Sequence, residues 1–167
     1  MLKMEVTFKG EPLEVQGKQP SLGDKAPDAQ LTTRENKLVN LSSYFGEETV
    51  VLSVVPDVTT RTCELQTKRF SKELSQKDVK YLTISRNTVE EFNNWNEEND
   101  LDLTTLSDTQ GEFGEAYGLN INLGGNERLT RSVFLVDKEG TIQYKQIVSE
   151  VTEEPDYDEV LNAIEKI

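Results

Sequence analysis

Two kinds of hydrophobic pattern alternate along the middle of the chain. Residues 49–55 are almost continuously apolar, which is typical of a buried strand. Beyond a short polar loop, the core-facing positions of a predicted helix are Cys63, Thr67, Phe70 and Leu74. A second strand over 79–84 and a second helix over 88–98 repeat this arrangement. Strands that alternate with helices favour an α/β fold with a mostly parallel central sheet.

A β-hairpin is predicted at the N-terminus, over about residues 5–16. Two short alternating runs there flank a Lys-Gly-Glu turn. Residues 17–40 are polar and are interrupted by glycine and proline, so they favour loops with one short strand near 38–40.

The C-terminal third of the chain predicts a second hairpin and a final helix. The hairpin strands are expected over 132–136 and 141–148, and the helix is expected to start at Asp156. Residues 118–128 are rich in glycine and asparagine, lack the spacing of a phosphate-binding loop, and predict an irregular segment. Together the patterns predict one α/β domain over 1–167, with a central mixed sheet flanked by helices.

Composition narrows the function classes. The chain has 31 acidic and 18 basic residues, a formal net charge of -13, and this charge disfavours binding to nucleic acid or to an anionic membrane surface. No stretch approaches the ~20 apolar residues of a membrane span, and the first residues are too polar for a signal peptide. We therefore expect a cytoplasmic protein with no nucleic acid and no membrane among its partners.

The counts of histidine and cysteine exclude whole classes of site. With no histidine, the chain cannot form a Ser-His or Cys-His pair or most zinc sites, so we expect neither a metal nor another cofactor. Its single cysteine, Cys63, rules out an internal disulfide and fits a reducing compartment.

Cys63 is placed where its thiolate would be stabilised. A strand delivers it to the first turn of a helix, where unpaired backbone N–H groups and the helix dipole favour a negative charge. The thiolate is the nucleophilic form of cysteine. Thr60, three residues earlier, is expected to cap this helix and to direct a hydroxyl at what the sulfur attacks. Pro56 ends the strand and can shield one side of the loop from water.

At this loop the chain resembles the peroxiredoxins, and among them the bacterial thiol peroxidases. Their loop also has a proline, three residues, a threonine, two residues and a cysteine, as in Pro56, Thr60 and Cys63. The resemblance covers nearly the whole chain in the same order, through the segments 5–10, 23–28, 131–137 and 153–157. The loop departs from the usual Ser-Ile-Asp-Thr-Gly-Val-Cys of that subfamily, most clearly by the charges of Asp57 and Arg61.

The resemblance implies a thioredoxin-like fold, a homodimer, and reduction of hydrogen peroxide and alkyl hydroperoxides. It implies that the Cys63 thiolate attacks the peroxide and becomes a sulfenic acid, that Thr60 orients the peroxide, and that Arg131 pairs with the thiolate. Relatives usually carry a second, resolving cysteine in the helix after the next strand, where this chain has Asn96. An external thiol, from a small molecule, a thioredoxin-like protein or another cysteine protein, must then regenerate the enzyme.

Each of these residues also has a purely structural interpretation. Free cysteine is among the most buried residue types, so Cys63 can be a packing residue. In the same way, Thr60 can be a plain helix cap and Arg131 an ordinary surface arginine. Two further functions stay open: a non-catalytic redox sensor read by a partner, and a degenerate thioredoxin-fold binding protein. Consumption of peroxide under turnover conditions separates the enzyme from both.

Overall fold

The fold was established from a computed structural model that describes residues 4–167 of the chain. Four α-helices are described there: α1 (Arg61–Leu74), α2 (Val89–Glu98), α3 (Glu112–Tyr117) and α4 (Tyr157–Glu165). The described strands are β1 (Glu5–Phe8), β2 (Glu11–Glu14), β3 (Gln30–Thr32), β4 (Leu38–Asn40), β5 (Thr49–Val54), β6 (Val79–Ser85), β7 (Thr105–Ser107), β8 (Asn120–Leu123), β9 (Asn126–Leu129), β10 (Ser132–Val136) and β11 (Ile142–Ile147). A 3-10 helix over Leu41–Tyr44 precedes β5.

A seven-stranded mixed sheet forms the centre of the molecule, in the order β11-β10-β5-β6-β7-β3-β4. Strands β5, β6 and β7 run parallel, as the alternation of strands and helices predicts. Strand β10 is antiparallel to β5 and to β11, so the predicted C-terminal hairpin is also confirmed. The α/β class and the central mixed sheet are as the sequence indicates.

Both faces of the sheet are covered. Side chains of α1 and α4 bury one face, where Phe70 and Val160 pack with Val51 of β5. Side chains of α3 bury the other face, where Phe113 and Tyr117 pack with Leu52. Strand β5 is therefore buried on both sides, which explains its continuous apolar run.

The N-terminal hairpin is confirmed, and it docks near the end of β11. Strands β1 and β2 are antiparallel, with Val6 opposite Leu13. Val6 packs with Ile121 of β8 and with Val151, which follows β11. The turn of this hairpin, at Lys9 and Gly10, is held by the carboxylate of Glu150, which accepts both backbone N–H groups at 3.2 and 2.9 Å.

Two sequence-based expectations are corrected. Residues 118–128 are not an irregular segment, because β8 and β9 pair there as an antiparallel hairpin around Gly124 and Gly125. The hairpin has few apolar side chains, so the alternation of apolar and polar residues typical of a strand is not visible in its sequence. Ile121 and Leu129 are nevertheless buried. Within 17–40, β3 pairs with β4 and was not expected. It is only three residues long.

Among the helices of residues 4–167, none combines the length and the apolar character needed to cross a membrane.

Candidate active site

The loop after β5 carries Cys63 into the first turn of α1. Strand β5 ends at Val54, and α1 begins at Arg61 with Thr60 as its N-cap residue. Pro56 is buried between them. The arrangement follows from the sequence, since the proline ends the strand and the segment after Thr60 has helical periodicity.

Two hydrogen-bond donors converge on the sulfur of Cys63. The backbone N–H of Asp57 lies 3.4 Å from Sγ, and Nη2 of Arg131 lies 3.3 Å from it. Donors and a positive charge at this distance stabilise the thiolate over the thiol. This convergence is what the chemistry of a nucleophilic cysteine requires.

Arg131 is held in place by two further bonds. The residue directly precedes β10 and is 2% exposed. Its Nη1 donates to Oε1 of Gln66 at 2.8 Å, and its Nε donates to the carbonyl of Val151 at 2.9 Å. A guanidinium buried with all three of its partners has little freedom to turn away from the sulfur. The interpretation of Arg131 as an ordinary surface residue is therefore wrong.

Gln66 was missed by the sequence analysis. It is completely buried, one turn after Cys63, and its amide donates to Ser53 of β5 at 2.8 Å. The available signal was a polar residue on the core side of an amphipathic helix, because a buried amide needs partners.

Thr60 occupies the cap position, but its side chain does not cap the helix. Its hydroxyl donates to the carbonyl of Asp57 at 2.8 Å, and its backbone N–H bonds to the same oxygen at 3.0 Å. The predicted side-chain cap is therefore wrong. The loop forms a turn from Asp57 to Thr60, which places the hydroxyl beside the Asp57 carbonyl and away from the helical N–H groups. The lone pairs of this hydroxyl remain available as acceptors.

A cavity of about 590 Å³ lies over these groups, and all four candidate residues, Pro56, Thr60, Cys63 and Arg131, line it. The N-terminal hairpin contributes Phe8 and Lys9 to its wall, and the β8–β9 hairpin contributes Leu123 and Arg128. Cys63 has no exposed surface, so a substrate must reach it through this cavity.

Asn96 has a structural role in α2. It is 1% exposed, its amide donates to the carbonyl of Phe92 at 3.2 Å, and its oxygen accepts the backbone N–H of Leu103 at 3.1 Å. It does not line the cavity that contains Cys63. The helix nevertheless touches the loop, because Phe92 and Trp95 pack against Val58.

Comparison with known proteins places the chain in one family. The redoxin family model matches residues 21–161. The thiol peroxidase of Staphylococcus saprophyticus is 38% identical over 165 residues, which cover 98% of this chain and 99% of that protein. The thiol peroxidase of Oceanobacillus iheyensis is 37% identical and covers 96% of this chain and 98% of its own length.

Solved structures of peroxiredoxin-like proteins share the fold of this chain. A peroxiredoxin-like protein from Aquifex aeolicus superposes with a TM-score of 0.89 at 31% identity, over 97% of this chain and 96% of that one. A thiol peroxidase from Chromobacterium violaceum shares the fold with a TM-score of 0.90 at 19% identity, over 99% and 98% of the two chains. The thioredoxin-like fold is thereby confirmed. With its single cysteine at the end of a buried strand and relatives that match it end to end, the chain belongs to the redoxin family, as a member of its thiol peroxidase branch that lacks the resolving cysteine.

Proposed function

We propose that the protein reduces hydrogen peroxide and alkyl hydroperoxides, with Cys63 as the attacking thiol. The observation that carries this proposal is the convergence of the Asp57 N–H and the Arg131 guanidinium on one sulfur at the base of a cavity. Membership in the thiol peroxidase branch supports the same chemistry.

The first step is an in-line displacement at the peroxide. The Cys63 thiolate attacks the terminal oxygen, the S–O bond forms as the O–O bond breaks, and the bonding electrons leave with the other oxygen as hydroxide or alkoxide. A proton converts the leaving group to water or an alcohol, and Cys63 becomes a sulfenic acid. Donors directed at the oxygens as charge builds up on them lower the barrier.

Each candidate residue has a role in this step. Arg131 and the Asp57 N–H stabilise the thiolate and the transition state, and Pro56 shields the sulfur from water. Because the Thr60 hydroxyl already donates to Asp57, it acts as an acceptor for the peroxide O–H and so fixes which oxygen faces the sulfur.

Regeneration requires a thiol from outside the chain, since Cys63 is its only cysteine. The thiolate of a small molecule or a thioredoxin-like protein attacks the sulfenic sulfur, the S–O bond breaks, and the hydroxide that leaves takes up a proton to become water, which leaves a mixed disulfide. A second external thiol then attacks this disulfide and releases the Cys63 thiol.

We further propose a single domain that acts as a cytoplasmic homodimer, supported by the family resemblance and by the free thiol. Light scattering on the purified protein tests the dimer.

Rapid mixing of reduced protein with each peroxide tests the proposal. Trp95 is the single tryptophan and packs against Val58 of the active loop, so its fluorescence reports changes there. We expect a fast change whose rate is proportional to peroxide concentration and which is lost in Cys63→Ser. Fast oxidation that never turns over with any thiol would instead favour the redox sensor, and the absence of any reaction would favour a binding protein.

A further inference from the structure

Asp57 bonds to Cys63, to Thr59 and Thr60 of the active loop, and to Asn87 beyond the loop. Its N–H reaches the Cys63 sulfur, and its carbonyl accepts both bonds from Thr60. Its Oδ1 accepts the backbone N–H and the hydroxyl of Thr59, at 3.0 and 2.7 Å, and the amide of Asn87, at 3.0 Å. The side chain therefore holds in place the residue whose backbone N–H contacts the sulfur.

Asn87 anchors this network to the sheet. It is completely buried just after β6, and its oxygen accepts the backbone N–H of Val58 at 2.9 Å and the hydroxyl of Ser85. The loop is thus tied to β6 through both Asp57 and Val58. Only an acceptor at position 57 completes the set of bonds.

A carboxylate at this position has an electrostatic cost. Partial burial by itself would raise the pKa of the Asp57 carboxyl, but hydrogen bonds from Asn87 and Thr59 and the charge of Arg128 outweigh it and lower the pKa. Asp57 is therefore an anion at neutral pH. It is the one carboxylate among the described residues that line the cavity with Cys63. A negative charge that shares a cavity with the sulfur disfavours the thiolate.

Arg128 is the cation placed to offset this charge. Its Nη2 lies 3.9 Å from Oδ2 of Asp57, and the two side chains are 25% and 24% exposed. The other cations of the cavity are less suited. Arg61 is 77% exposed and pairs with Glu64, Lys9 lies over the ring of Phe8, and Arg131 is engaged by Cys63, Gln66 and Val151.

We propose that Asp57 is a positioning residue for Cys63 and that Arg128, from the β8–β9 hairpin, is the partner that keeps the charge of Asp57 from suppressing the thiolate. Only the effect of the pair on turnover depends on the proposed peroxidase function. The charge pair itself acts on the reactivity of the thiol.

A double-mutant cycle over Asp57→Asn and Arg128→Met tests the pair. Asparagine keeps the acceptor oxygen, so that substitution removes the charge and preserves the bonds. The first readout is the rate of alkylation of Cys63 by iodoacetamide at neutral pH, which follows the thiolate fraction without any peroxide. The second is the rate of sulfenic acid formation with hydrogen peroxide.

We expect Arg128→Met to slow alkylation by roughly three- to tenfold and Asp57→Asn to accelerate it by a similar factor. The double variant should return to within about twofold of the parent, because the two charges are removed together. Arg128→Lys should restore most of the rate. Arg86→Met is the matched control, since Arg86 lies just after β6 and pairs with Glu127, the residue before Arg128 in β9, at 3.5 Å.

Positioning is tested separately by Asp57→Ala, which removes the acceptor as well as the charge. At a pH where the thiol is fully ionised, its rate with peroxide should fall about tenfold below that of Asp57→Asn. Alkylation rates within twofold of the parent for both single variants would overturn the charge pair, and equal rates for alanine and asparagine would overturn the positioning role. If alkylation follows the expected pattern while no variant reacts with peroxide, the pair stands and the peroxidase function fails.

Discussion

At the scale of single residues, the site depends on a small number of directed bonds. Arg131 and the Asp57 N–H contact the sulfur, and Gln66 and Val151 hold Arg131. The sequence indicated Cys63, Pro56, Thr60 and Arg131 because each matches a spacing or a family position. For Gln66 the sequence offered only a polar residue on the core side of α1, and for Asn87 it offered no signal, because the importance of both comes from which polar atoms are buried next to each other after folding.

Removing either the donor Arg131 or the acceptor Thr60 should slow the attack of Cys63 on the peroxide. We expect Arg131→Met and Thr60→Val each to reduce the rate of sulfenic acid formation by on the order of 10²-fold, because each loses a bond made to the transition state. Stopped-flow fluorescence measures the rate. Two control variants should form the sulfenic acid at nearly the rate of the parent. Thr60→Ser keeps the hydroxyl, and Arg69→Met removes an exposed arginine of α1. A rate within about twofold of the parent in either test variant would show that the proposed role of that residue is wrong.

At the scale of elements, the strongest patterns were the most accurate. The continuous apolar run predicted β5, which is buried on both of its sides, and the helical spacing after it predicted α1, whose apolar side packs against the sheet. The β8–β9 hairpin was not predictable from its Gly- and Asn-rich composition. Its strands are stabilised by tertiary contacts, with Ile121 packed against the N-terminal hairpin and Leu129 in the main core.

The helix α2 offers a test of the missing resolving cysteine. Asn96→Cys removes the bonds to Phe92 and Leu103, which weakens the end of α2 and favours the local unwinding that a disulfide with Cys63 needs. We expect peroxide treatment of this variant to give an internal disulfide, seen in the intact mass as a loss of two hydrogens, and faster turnover with a thioredoxin-type reductant.

Asn94→Cys is the matched control for this variant, since Asn94 is exposed two residues earlier on the same helix. A disulfide in the control alone would show that the alignment is shifted, and no disulfide in either variant would show that α2 has diverged from a resolving helix.

The N-terminal hairpin should be sensitive to acid through Glu150. Hydrogen bonds from the hydroxyl and N–H of Thr152 and from the N–H of Gly10 lower the pKa of this carboxyl from 4.5 to about 2. A pKa lowered by folding means that the carboxylate stabilises the folded state above 4.5 and that this contribution is lost as the pH falls towards about 2.

Comparison of the parent with Glu150→Gln measures this effect. The difference in urea midpoint should be largest above pH 4.5 and should shrink towards pH 2. Glu11→Gln, an exposed residue of strand β2 in the same hairpin, is the comparison, and its urea midpoint should follow that of the parent across this pH range. A difference that does not change with pH would contradict the anchoring role of the Glu150 charge.

At the scale of the whole molecule, one cysteine in 167 residues determines the fate of the oxidised enzyme. No thiol of the chain can trap the sulfenic acid, so excess peroxide should convert Cys63 to the sulfinic acid. Intact-mass spectrometry of treated protein should show one and then two added oxygens. A product that has lost hydrogen without gaining oxygen would contradict this expectation, unless it has twice the mass of the chain and is a disulfide between two copies.

The central claim is that Cys63 catalyses peroxide reduction with electrons from an external thiol, and steady-state peroxide consumption tests it most directly. The parent and Cys63→Ser are each assayed with hydrogen peroxide and an alkyl hydroperoxide, with dithiothreitol or a thioredoxin system as the reductant, and circular dichroism checks the fold of both. We predict many turnovers per protein for the parent and none above background for the folded serine variant. Turnover retained in Cys63→Ser, or a parent that stops after a single equivalent of peroxide with every thiol supplied, would contradict the claim.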